Sequence, residues 1–132
     1  MASSLRQLVL VVEYDKGIRD LTRMVLEEEF GVDVVSTGAV DEALRLVQAR
    51  KPNLVLIGVR GADVGCLEVA RRLKADPAST SIPVLALVHW GEGQHEALEA
   101  GCDAVIVRPF DDVGRLSAEV RRYLMGKMGN DK

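Results

Sequence analysis

Leu54-Val55-Leu56-Ile57-Gly58-Val59 is a short run of almost unbroken apolar character. Such a run, bounded by polar residues, reads as a strand covered on both faces, and strands of that kind belong to parallel sheets. On its N-terminal side, Asp41 to Arg50 carries Ala43, Leu44 and Val47 as a helical stripe, and Pro52 follows the stop. Val32 to Ser36 reads as a strand. Lys16 to Glu29 reads as a helix: Ile18, Leu21, Val25 and Glu28 fall at i, i+3, i+7 and i+10, with Met24 beside Val25. Asp15 is placed to cap its first turn and Gly31 follows its end. Leu8-Val9-Leu10-Val11-Val12 opens the series as a β-branched strand.

The C-terminal side repeats the alternation. Cys66 to Lys74 is a helix with Leu67, Ala70 and Leu73 or Lys74 on one side. Pro83 opens a strand over Val84 to Val88, and Gln94 to Ala100 is a short helix ended by Gly101. Ala104 to Val107 is the fifth strand, and Val113 to Leu124 the last helix, with Leu116, Val120 and Tyr123 or Leu124 facing inward. Five strands alternating with five helices predict an α/β, (βα)5 flavodoxin-like sandwich: one five-stranded parallel sheet with helices on both faces. One domain spans residues 7–124, with tails at 1–6 and 125–132.

Composition narrows the function. Of 132 residues, 48% are apolar and 28% charged, the balance of a soluble globule. Aromatics are only 4%, so Val, Leu, Ile and Ala must build the core. Lys and Arg number 17 against 20 Asp and Glu, a net charge of −3. That leaves no basic footprint for nucleic acid and no polybasic membrane patch. The N-terminus lacks a signal-peptide layout, and no apolar run approaches a membrane span. Cys66 and Cys102 show neither metal nor disulfide spacing and read as reduced thiols of a cytoplasmic protein.

In an open parallel sheet, ligands bind beyond the carboxyl ends of the strands. Those ends carry Glu13, Tyr14 and Asp15, then Gly58, then Val88, His89 and Trp90, then Arg108 and Pro109. Together with Lys51-Pro52-Asn53 ahead of Leu54, Ile82-Pro83-Val84 and Ala100-Gly101-Cys102-Asp103-Ala104, they make the chain resemble a response-regulator receiver domain from about Leu8 to Leu124. The resemblance implies a set of chemical parts. An aspartate attacks a phosphoryl donor. An acidic pair helps to hold Mg²⁺. A Ser or Thr after the fourth strand and a Lys after the fifth contact the phosphoryl group, and an aromatic on the fifth strand reports the event.

This sequence departs at each of these positions. Gly58 stands at the phosphoacceptor, Glu13-Tyr14 at the acidic pair, Val88 at the hydroxyl, Arg108 at the lysine and Val105 at the aromatic. The reading that follows is a degenerate receiver: cytoplasmic, non-enzymatic, without metal or cofactor, acting by protein contact. The resemblance implies a sensor kinase or output protein as partner, and a homodimer through helix 4, strand 5 and helix 5. A second reading is a small-molecule domain using Glu13, His89, Trp90 and Arg108. A third is a phospho-receiver with a displaced acceptor, Asp63 or Asp15; the missing hydroxyl and carboxylate oppose it, because positioning supplies most of such a rate. Arg108 at the old phosphate pocket is expected to pair with Glu13 or to hydrogen-bond Tyr14.

Overall fold

The apolar runs assemble into a single sheet. A computed structural model of the chain describes residues 6–59, 65–89, 93–108 and 113–129; the side chains of His89, Arg108, Val113, Arg115 and 126–129 lie outside that description. In chain order the elements are β1 (Leu8–Val12), α1 (Lys16–Phe30), β2 (Asp33–Thr37), α2 (Val40–Arg50), β3 (Leu54–Val59), a 3₁₀ turn (Gly65–Leu67), α3 (Glu68–Ala75), β4 (Val84–His89), α4 (Gln94–Glu99), β5 (Ala104–Arg108) and α5 (Val113–Gly129). The five strands lie in the order β2-β1-β3-β4-β5, and every pairing is parallel. This is the flavodoxin-like order, with its switch point between β1 and β3.

Strand alternation sorts the core into two layers. Leu10, Val12, Val55, Ile57, Val84, Ala86 and Val88 face one side, where Ala43 and Val47 of α2, Val69, Ala70 and Leu73 of α3 and Ala97 of α4 cover them. Val9, Val11, Leu54, Leu56, Leu85, Leu87 and Ile106 face the other, against Leu26 of α1 and Leu116, Val120 and Leu124 of α5. Most of the expected inward residues of α2, α3 and α5 are thus buried, while Leu44 is partly buried and Leu73 and Leu124 are more buried than Lys74 and Tyr123.

Helix α1 differs from its expected stripe. Leu26 is its fully buried residue, whereas Leu21 and Met24 are 56% and 48% exposed. Apolar residues lie around much of this helix, and the face carrying Arg19, Thr22 and Leu26 turns to the sheet. The ends are as expected: Asp15 accepts a hydrogen bond from the Ile18 N–H at 2.9 Å, and Gly31 closes the helix at φ 64°, where a side chain is strained. Most boundaries move by one residue, and a few bear on the site or the ends of the chain. Cys66 falls in the 3₁₀ turn ahead of α3, β4 includes His89, and α5 continues past Leu124 to Gly129. Met125, Lys127 and Met128 are good helix formers, so propagation continues through the two glycines at modest cost.

Side chains tie the N-terminal ends of the strands together. Asn53 accepts from the Leu8 N–H at 2.8 Å and returns its own N–H to the Leu8 carbonyl at 2.7 Å. Asp103 Oδ2 accepts from the Val84 N–H at 2.8 Å and from Lys74 Nζ at 3.0 Å. Lys74 also donates to the carbonyls of Thr80 and Ile82 at 3.1 and 2.8 Å. One carboxylate therefore joins the starts of β4 and β5 to the end of α3. Asp103→Ala orphans the Val84 N–H and removes the counter-ion of Lys74. The expected loss is about 2 kcal/mol in a urea unfolding titration, with an unchanged m-value.

Candidate functional site at the carboxyl edge of the sheet

The register decides what meets at the switch point. Val12 pairs with Ile57, so the next residues along, Glu13 and Gly58, come level. By alternation both continue the series that faces α1 and α5. Glu13 is consequently buried, at 2% exposure, with its carboxylate lying over Gly58. A Cβ built on Gly58 falls inside the van der Waals envelope of Glu13 Oε1 and only 2.8 Å from Cδ. Glycine at 58 is thus a steric requirement of Glu13 as it is placed here.

Local hydrogen bonds hold that placement. Glu13 Oε2 accepts from the Asp15 N–H at 3.0 Å, and the Glu13 N–H donates to the Thr37 carbonyl at 3.0 Å. Arg19 Nη1 donates to the Glu13 carbonyl at 2.8 Å. The same guanidinium stands 2.7 Å from where a Cβ on Gly38 would lie. Arg19 is absent from the residues that the sequence singles out; the signal for it is a cation at helical spacing from Asp15 on the inward face of the first turn.

The remaining expected site residues scatter. Tyr14 is 80% exposed and turned out to solvent, so it takes no part in burying Glu13. Asp15 is occupied as the cap of α1. Val88 is fully buried in the layer under α2, α3 and α4, and Val105 is partly buried against the same layer. His89 and Arg108 pair as the last residues of β4 and β5, and their side chains are outside the described residues, as are Trp90 and Asp63. The expected Glu13–Arg108 pair rests on one of those side chains. His95 lies exposed in the first turn of α4, with Nε2 3.2 Å from Glu99 Oε2.

Beside Gly58 a cleft of about 260 Å³ is lined by Val12, Tyr14, Gly38, Val40, Gly65 and Cys66. Cys66 Sγ donates to the Gly58 carbonyl at 3.2 Å and packs against the core. Among the described residues, no three His, Cys, Asp or Glu side chains come together in a way that could hold a metal ion. Among the described residues, the divalent cation that receiver chemistry implies finds no fitting ligand set. It wants several hard oxygen ligands, and Tyr14 and Gly58 supply no carboxylate.

Comparison with known proteins agrees with this fold. The family model described as response regulator receiver domain matches residues 9–121. The phosphate regulon transcriptional regulatory protein PhoB of Pseudomonas aeruginosa is 32% identical over 119 residues, covering 86% of this chain and 52% of PhoB. The chain therefore spans about half the length of PhoB. The polar-differentiation response regulator DivK of Brucella abortus is 31% identical over 118 residues, covering 88% of this chain and 94% of DivK. The receiver domain of a signal transduction histidine kinase from Syntrophus aciditrophicus superposes with a TM-score of 0.79 at 28% identity, covering 91% of each chain. These likenesses favour signalling over small-molecule binding. The chain belongs to the response regulator receiver domain family.

Proposed function

We propose that this chain is a receiver module of two-component signalling that takes no phosphoryl group at position 58 and works by protein contact. One observation carries the reading: the acceptor position is a glycine, and the buried Glu13 carboxylate lies over it. Phosphoryl transfer is almost entirely positioning plus charge stabilisation. Gly58 removes the nucleophile, Tyr14 a metal ligand and Val88 a hydrogen-bond donor to the transferred group. What remains is the scaffold, which presents surfaces. A sensor kinase or an output protein in the cytoplasm is the partner class this reading implies. Among the described residues no helix is long and apolar enough to cross a membrane.

The test uses the chain as it stands. After incubation with acetyl phosphate and Mg²⁺, its intact mass is expected to be unchanged. Its melting temperature is expected to stay the same when Mg²⁺ is raised to millimolar levels, because a ligand stabilises only as far as it binds the native state. A stoichiometric phosphoryl adduct, or a saturating rise of several degrees, contradicts the reading.

A further inference from the structure

Helix α1 turns apolar side chains to solvent while packing on the sheet through the opposite face. Leu21 and Met24 are 56% and 48% exposed, and Tyr14, just ahead of the helix, is 80% exposed. Gly17, Leu21, Met24 and Glu28 follow one another at intervals of four, three and four residues. That spacing is the seam along which one helix packs against another. Leu26, on the far side, supplies the contact with the core. The stripe is therefore surplus to what the fold needs.

The charges on this helix run against its own dipole. Its first turn holds Lys16 and no acid; its last turn holds Glu27, Glu28 and Glu29 and no base. Acidic side chains at a helix C-terminus and a lysine at the N-terminus are each unfavourable by themselves. Part of this is offset along the flank, where Lys16 pairs with Asp20 at 2.7 Å and Arg23 with Glu27 at 3.2 Å. Arg19 is engaged inward on the Glu13 carbonyl. Glu28 and Glu29 stay exposed at the negative end of the helix. A second helix laid antiparallel along the seam reverses the sense of both mismatches. It sets its positive N-terminal end and Lys16 beside Glu28 and Glu29.

We infer that α1 is a self-association face: two copies of this chain dock antiparallel through Leu21 and Met24, with Lys16 of each copy against Glu28 of the other. The second copy is the occupant because one helix carries both the seam and the complementary charges, as a two-fold interface requires. The stripe is only a few turns long, so the dimer is weak and salt-sensitive, with a Kd on the order of 0.1 mM. The inference stands on α1 alone and does not depend on whether position 58 accepts phosphate.

Sedimentation velocity on the full chain, at concentrations up to about 1 mM, tests it. The wild-type chain is expected to shift toward dimer as concentration rises. Leu21→Glu and Met24→Glu are expected to stay monomeric with unchanged circular dichroism. Leu98→Glu, at an exposed position of α4, is expected to dimerise like wild type. Lys16→Glu and Glu28→Lys alone are each expected to weaken association about tenfold, and an equimolar mixture of the two to restore it. A wild-type chain that remains monomeric overturns the inference. So does loss of the dimer in Leu98→Glu but not in Leu21→Glu, which places the interface on helix 4, strand 5 and helix 5. A mixture that fails to recover overturns the antiparallel arrangement.

Discussion

Gly58→Asp is expected to remain unphosphorylated after long exposure to acetyl phosphate and Mg²⁺, read as an intact mass without a phosphoryl adduct. Restoring the acceptor side chain repairs one defect and meets three others. The first is space, because the new Cβ lands on the Glu13 carboxylate, which is 2% exposed. The carboxylate is the far end of a flexible side chain and can rotate away, so the variant folds, at a cost of about 1–3 kcal/mol. The second is charge: two carboxylates at that range oppose joint ionisation, and a protonated carboxyl group at position 58 is a poor nucleophile. The third is the missing apparatus. Tyr14 is 80% exposed and offers no metal-binding carboxylate, and buried Val88 gives no hydrogen bond. Loss of one such donor alone costs about 10²–10³ in rate. Gly58→Ala separates space from charge. It is expected to melt lower than wild type, and to lose less when Glu13 is shortened to Ala in the same chain. A stoichiometric phosphoryl gain on Gly58→Asp sinks this reading of the pocket. Equal losses for Gly58→Ala in both backgrounds sink the steric part.

Cys102 is expected to resist alkylation in the folded chain while Cys66 reacts. Burial pushes the Cys102 thiol from its ordinary 9.0 up to about 12, and neighbouring Asp103 adds to the rise. At pH 8 its thiolate fraction is then smaller by about 10³ than that of an ordinary cysteine, and the thiolate is the reacting species. The same shift makes stability depend on pH. Above pH 9 the unfolded chain releases this proton and the folded chain keeps it. The folded state then binds more protons, so the stability present below pH 9 is lost as pH rises toward 12, by about 1.4 kcal/mol per unit. Urea titrations at pH 8 and pH 10.5 of wild type and Cys102→Ala check this. The variant starts less stable, because a cavity replaces the sulfur, and its alkaline decline is shallower by about 2 kcal/mol. Parallel declines, or equal labelling of both thiols, contradict it.

Most of the fold is legible in the sequence because buried parallel strands announce themselves. Leu8–Val12 and Leu54–Val59 are buried along their whole length, as unbroken apolar runs predict. Helix α1 is less legible for the opposite reason. With apolar residues at 18, 21, 24, 25, 26 and 30, its pattern covers more than one face, and periodicity cannot say which face meets the sheet. Periodicity alone therefore takes the stripe through Leu21 and Met24 for the core. At the site, the residue types are legible from the ends of the strands, but the coupling of Glu13 to Gly58 is not. It depends on the β1–β3 register and on the parity that puts both residues on one face, which are tertiary facts. Arg19 is hidden for the same reason: its role is a bond to the Glu13 carbonyl across a turn.

Asp103, Lys74 and Asn53 lie at the pole of the sheet opposite Glu13, and their bonds join strand starts that have nothing to do with the site. That separation bears on how much change the carboxyl edge tolerates. Substitutions at distant sites with no shared partners have nearly independent effects on stability. A replacement at the carboxyl edge therefore draws on little of the free energy held by the Asp103 clamp. Residues such as Tyr14 and Val88 can stand where a receiver's chemistry would, while the starts of β1, β3, β4 and β5 stay fixed in register. Function at one end becomes mutable because foldedness is secured at the other. Chains with this layout can change at one edge of the sheet and keep both their fold and the surfaces it presents.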